Sequence, residues 1–132
     1  KGQVRTLRKK IFDKFPDALK SKELEIASVD NFQGREKELI IFTAVRCNKI
    51  ASVGFLNDWR RLNVMITRAR RGLVVVGNAA TLACDKHWRL WMEFTEKQGG
   101  CAKGTVAAAV EEAKHNLDIL GNERMKARIF PE

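Results

Sequence analysis

No stretch of this chain approaches the roughly 20 consecutive apolar residues that cross a bilayer as a helix. Its opening residues, Lys1-Gly2-Gln3-Val4-Arg5, also lack the apolar core of a signal peptide. The sequence therefore reads as soluble and intracellular, cytoplasmic or nuclear, with no membrane partner. Cysteine is scarce: Cys47, Cys84 and Cys101 are odd in number, far apart and without histidine at a metal-binding spacing. That supports neither a disulfide framework nor a metal site, and the three read as reduced, mostly buried thiols. There is no internal repeat and no low-complexity tract. Acidic residues are outnumbered, 16 Asp and Glu against 25 Lys and Arg, for a formal charge of +9. Such a balance argues for a polyanionic partner such as nucleic acid. At 132 residues the chain is long enough for one domain with a real core and short for two.

What is present in excess is arginine. Five occur between Arg60 and Arg71, and the stretch leads into the apolar run Leu73 to Val76, which closes on Gly77. At about 100° per residue Leu62, Met65, Ile66 and Ala69 share one stripe, the pattern of a core-facing helix, with Asp58 as a plausible cap. Arg60, Asn63, Thr67, Arg70 and Arg71 face away from it. Arg61 and Arg68, seven apart, lie on the border, where a guanidinium has its stem buried and its fork aimed along the surface. An ordinary basic helix face would show the same spacing.

Along the chain, Val4, Leu7, Ile11 and Phe15 step by three and four, which predicts an amphipathic helix ended by Pro16, with Arg5, Arg8, Lys9, Lys10 and Lys14 on or beside its outer face. Glu25 to Val29 reads as a short strand, and Asp30 to Gly34 as a loop. Leu39 to Val45 is a continuous apolar run, expected to be a strand covered on both faces. Arg46 to Asn57 reads as a long connection and Leu73 to Val76 as the third strand. Gly77-Asn78 turns into a substantially buried helix carrying Trp88, Leu90, Trp91, Met92 and Phe94, which Gly99-Gly100 breaks. Val106 to Leu120 is a further helix with Val110, Ala113, Leu117 and Leu120 at helical intervals. Gly121 to Glu132 is polar and expected to be frayed or docked elsewhere. Helices alternating with buried strands give an α/β fold with a three-layer parallel sheet, in which ligands gather at the carboxyl ends of strands.

The segments Val29-Asp30-Asn31-Phe32-Gln33-Gly34-Arg35-Glu36, Val45-Arg46-Cys47-Asn48, Gly54-Phe55-Leu56-Asn57-Asp58, Arg60 to Val64 and Thr67-Arg68-Ala69-Arg70 together resemble the late motifs of superfamily 1 helicases, in the branch containing the nonsense-mediated decay helicase and senataxin. Gln33 to Glu36 corresponds to motif V, Thr67 to Arg70 to the end of motif VI, and Lys1-Gly2-Gln3 looks like the remnant of motif IV. A lone Gln-Gly pair or arginine cluster would carry little weight; the ordered set is specific. The resemblance implies a RecA-like lobe of the P-loop NTPase type, the second of two. ATP would lie in the cleft between lobes and single-stranded RNA or DNA across their top. Residues 1–98 would be that lobe, truncated at its N-terminus, and 99–132 a C-terminal helical extension.

Carried over residue by residue, Arg68 matches the arginine finger that reaches the γ-phosphate. Glu36 matches a carboxylate that contacts the nucleotide ribose, unless it merely pairs with Arg35 or Lys37. Gln33 and Gly34 match the turn beside the nucleotide. Ser28, Asp30 and Asn31 stand at a strand end that meets the nucleic-acid backbone. Arg46 and Asn48 match a segment in which a basic residue grips phosphate or braces the motif VI helix, and both roles stay open. Arg61 would hold the finger's loop or an acidic residue of the other lobe, and Arg70 would be structural or coupling. Trp88 and Trp91 fit core packing better than base stacking. Met65 and Trp59 depart from the usual residues of the pattern without removing a chemical group. The chain contains no G-x-x-x-x-G-K-[ST] loop and no apolar strand ending in paired acids for Mg²⁺; in the family these belong to the first lobe. The fragment is thus expected to be an inactive part of an ATP-dependent helicase. The alternative is a non-catalytic RNA- or DNA-binding or scaffold lobe without an NTPase partner.

Overall fold

Asp58 caps the arginine helix, its Oδ1 accepting the Arg60 N–H at 3.0 Å, and α3 then runs Trp59–Arg68. The computed structural model describes residues 2–44, 52–101 and 104–131. Before α3 come α1 (Gly2–Lys14), α2 (Pro16–Lys20), a 3-10 helix at Val29–Phe32 and strand β1 (Lys37–Ala44). Strand β2 (Ala69–Gly77) follows α3 directly, so Ala69 and Arg70, expected on the helix, are the first residues of the strand. β1 and β2 pair in parallel, with Ile40 opposite Leu73 and Ala44 opposite Gly77. At that last pair the backbones close up: a Cβ on Gly77 would stand 2.9 Å from the Ala44 Cβ, which is why glycine ends the strand.

The α/β class with a parallel sheet stands, but among the described residues the sheet has two strands rather than three. Residues 25–28 are not in a ladder. A strand requires a neighbour to take its backbone groups, and here the Ile26 carbonyl instead accepts from the Arg8 guanidinium, Nη2 at 2.6 Å and Nε at 3.0 Å. Nor is the apolar run of β1 covered on both faces. Phe42, Leu73 and Val75 pack against the core, while Leu39, Ile41, Val74 and Val76 on the opposite face are exposed. The helices that share the core therefore lie on one side of the sheet.

Beyond β2, the single helix expected after Asn78 is two: α4 (Ala79–Ala83), capped by Asn78, and α5 (Lys86–Lys97). Asp85 restarts the helix by accepting the N–H groups of His87 and Trp88 at 2.9 and 3.0 Å. Trp88 and Met92 are buried, but Leu90 and Phe94 are exposed, so α5 buries one stripe only. Gly99, at φ +73°, ends it. In α6 (Val106–Ile119) the buried stripe is Val106, Ala109, Ala113 and Leu117; Leu120 is exposed. Val106 and Ala109 share the core with Leu62, Met65 and Trp88, so α6 belongs to the same packed unit. The C-terminal residues form α7 (Glu123–Ile129), which docks rather than frays. Lys126 pairs with Asp118 at 2.6 Å, and the Phe130 ring lies 5.0 Å from the Arg89 guanidinium.

Replacing Asp85 by alanine orphans two backbone donors at a buried helix start. It is expected to destabilise the chain by about 1–2 kcal/mol, read by urea unfolding, with Asp85→Asn, which keeps a capping oxygen, losing much less. Of the cysteines, Cys84 is half-buried and its thiol is pushed up to about 11 by burial. Cys101 is exposed, contrary to the expectation of buried thiols, because it follows the glycine break outside the packed helices. Cys47 lies outside the described residues.

Candidate nucleotide site

Parallel pairing with Lys37 opposite Ala69 brings the segment before β1 beside the segment before β2. Gln33 to Glu36 and Thr67 to Arg71 thus meet at the amino ends of the two strands rather than at a carboxyl end, because residues 25–28 form no strand. Gly34 makes the turn at φ +74° with open space where a side chain would stand, and Gln33 beside it is exposed. Ser28, Asp30 and Asn31 surround the 3-10 helix; all three are exposed, and the Ser28 carbonyl accepts the Asn31 N–H at 3.0 Å. Arg46 and Asn48 lie outside the described residues.

Acidic partners sort the arginines. Arg61, half-buried on the border of the α3 stripe, donates from Nε to Asp30 Oδ1 at 3.0 Å and from Nη2 to Oδ2 at 3.5 Å, with Asp58 at 3.7 Å. The Asp30 hydrogen bond raises the guanidinium's pKa and ties α3 to the 3-10 helix. Arg70 donates from Nε to Glu36 at 3.1 Å and reaches Glu38 at 3.5 Å, and Glu36 raises its pKa likewise. Arg71 takes Glu38 at 2.7 Å. Glu36 therefore pairs with Arg70 across the sheet, not with Arg35 or Lys37. Those two hold Glu25, whose pKa is lowered chiefly by the Arg35 hydrogen bond.

Arg68 differs from these three. It is half-buried at the last turn of α3, its Nε and Nη2 donate to the Thr67 hydroxyl at 3.3 and 3.0 Å, and among the described residues it has no carboxylate partner. Thr67 itself donates to the Asn63 carbonyl at 2.8 Å, so the hydroxyl that orients Arg68 is fixed by the helix. An ionised fork with a packed stem and no internal counter-charge is suited to an external oxyanion, and a phosphate fits that donor set. Among the described residues no three His, Cys, Asp or Glu side chains converge to hold a metal ion. None of the described helices is long and apolar enough to cross a membrane.

Sequence reasoning missed Glu38 and Arg71 as a pair. Glu36 and Glu38 lie two apart near the start of β1 and point to one side of the strand, but only the register reveals which cations face them.

Fold and motif order together define an α/β RecA-like fragment. The chain matches the AAA domain family over residues 1–80. It is 45% identical over 93 residues to the Regulator of nonsense transcripts 1 homolog of Drosophila melanogaster, covering 70% of this chain and 8% of that protein. It is 51% identical over 86 residues to the ATP-dependent helicase NAM7 of Saccharomyces cerevisiae, 64% of this chain and 9% of the relative. With the DNA polymerase alpha-associated DNA helicase A of the same yeast it shares 50% identity over 98 residues, 73% and 14% of the two chains. The chain thus spans a small part, 8 to 14%, of the length of these relatives. It belongs to the AAA domain family, in the nonsense-mediated-decay branch of superfamily 1 helicases.

Proposed function

We propose that this chain is the second motor lobe of an ATP-dependent helicase or translocase, supplying an arginine finger and part of a single-stranded RNA or DNA track. One observation carries the reading: Arg61, Arg70 and Arg71 are matched by carboxylates, while Arg68 is held by a hydroxyl and left without one. A finger must keep its fork for phosphoryl oxygens.

In this scheme Gln33, Gly34 and Glu36 line the nucleotide, and Ser28, Asp30, Arg46 and Asn48 lie along the nucleic-acid backbone. Arg61 and Arg70 couple the two, since Arg61 pairs with Asp30 on the nucleic-acid side and Arg70 with Glu36 of motif V. ATP and its Mg²⁺ are held mainly by a first lobe of the parent protein, and residues 99–132 form a helical extension of lobe 1–98. The parent acts in the cytoplasm or nucleus. The second reading is a non-catalytic RNA- or DNA-binding or scaffold lobe without an NTPase partner.

Steady-state ATP hydrolysis separates the two readings. The 132-residue chain alone is expected to show no turnover above buffer, whereas the parent protein hydrolyses ATP and accelerates with single-stranded nucleic acid. A parent protein that binds nucleic acid without hydrolysing ATP would establish the scaffold reading instead.

A further inference from the structure

More than half of the chain's net charge sits on α1, α2 and the turn that follows. Residues 2–22 carry seven Lys and Arg against two Asp, a net +5 of the chain's +9. Unlike Arg61, Arg70 and Arg71, none of these seven forms an ion pair among the described residues. One is used internally: Arg8 anchors the arm through the Ile26 carbonyl, which holds α1 in place while its outer face stays open.

Within this face stands an aromatic. Phe12 lies off the apolar stripe of Val4, Leu7, Ile11 and Phe15 and falls instead between Arg5, Arg8 and Lys9 on the helix surface. It is 48% exposed, with the Lys20 ammonium 5.9 Å from its ring centroid, and it lines an open hollow with Arg8, Lys9 and Leu19. We propose that this face is a second contact surface for single-stranded nucleic acid, with a base stacked on Phe12 and the flanking phosphates held by Lys9 and Lys20. It uses none of the motif V and VI residues and does not depend on the nucleotide chemistry proposed above.

The chemistry selects among polyanions. A duplex offers phosphates but keeps its bases stacked on one another, leaving an exposed ring without a use. A helix lying on an anionic lipid surface buries its apolar stripe, where Phe15 stands, and gives no use to Phe12 among the cations. An unpaired base needs both a stacking platform and nearby positive charge, and Phe12 with its neighbours provides the two together.

The test is fluorescence anisotropy of labelled twelve-nucleotide oligo(dT) and oligo(U) on the 132-residue chain without nucleotide, between 50 and 200 mM salt. Each phosphate contact on a single strand contributes roughly 0.7 to the slope of log affinity against log salt, so Lys9→Ala/Lys20→Ala should flatten it by about 1.4. Phe12→Ala should weaken binding roughly five- to a hundredfold and leave the slope unchanged, with Phe12→Trp restoring affinity. Far-UV circular dichroism checks that these exposed substitutions leave the fold intact. Unchanged affinity in Phe12→Ala, or an effect seen only on phosphatidylserine vesicles, would overturn the proposal. ATP hydrolysis by the parent tests the reading above and oligonucleotide binding by Phe12→Ala tests this surface, so the two can fail separately.

Discussion

Arg68→Ala in the parent protein is expected to lower kcat for ATP hydrolysis by roughly 10³- to 10⁵-fold while changing nucleotide affinity no more than a few-fold. The asymmetry follows from where the charge develops. Ground-state ATP is held chiefly by the lobe that carries its phosphate loop and Mg²⁺. A fork delivered from across the cleft matters most when negative charge spreads over the transferring phosphoryl oxygens. In the proposed role Arg68 would need little reorganisation, because the hydroxyl beside it is itself tied to the Asn63 carbonyl. Arg68→Lys keeps the charge but loses the planar pair of donors and the contact to Thr67, so it should recover little of the rate. Single-turnover hydrolysis with saturating nucleotide measures the effect directly. A variant within tenfold of the parent would remove the finger role, whereas a variant that fails to bind nucleotide would assign Arg68 to ground-state binding.

Local features were legible before any coordinates. The Asp58 cap, the buried Leu62 and Met65, the outward Arg60 and Asn63, and the half-buried Arg61 and Arg68 follow from a 3.6-residue period that needs no knowledge of the rest of the fold. Non-local features were not. Residues 25–28 have strand-like composition, yet a strand is a property of two segments, and the nearest donor to Ile26 is a guanidinium from α1. The identical ambiguity hid the Glu36–Arg70 and Glu38–Arg71 pairs, whose members are more than 30 residues apart and meet only through the β1–β2 register. Leu39 and Ile41 show the limit of composition most clearly. An apolar run signals that both faces of a strand suit burial, but which face is covered depends on elements elsewhere. For the candidate site, the order of the motifs named the residues, while the sorting of arginines by carboxylates emerged only from the fold.

The largest stability effect is expected at Trp88, which connects the packed core to the start of the arginine helix. Its side chain is 1% exposed, lies 6.0 Å from both the Phe42 and Trp91 rings, and donates from Nε1 to the Leu56 carbonyl at 2.9 Å. Leu56 sits in the 3-10 helix Gly54–Asn57, immediately before the Asp58 cap of α3. Trp88→Ala removes a large buried ring and should cost about 3–5 kcal/mol from lost transfer and the cavity left behind. The orphaned Leu56 carbonyl adds about 1–3 kcal/mol. Against a typical domain stability of about 5–15 kcal/mol, that leaves the variant near or past its unfolding threshold at 37 °C. Trp88→Phe separates the two contributions, because it keeps most of the packing and loses only the hydrogen bond, so it should cost clearly less. Urea unfolding followed by far-UV circular dichroism gives both numbers, and a Trp88→Ala loss below about 1 kcal/mol would show that the core closes without this ring. In the parent protein Trp88→Phe has a further consequence. If the Leu56 bond fixes the approach to Asp58, the variant should lower ATP turnover at a temperature where it is still fully folded, since the helix that presents Arg68 has lost its anchor at the opposite end.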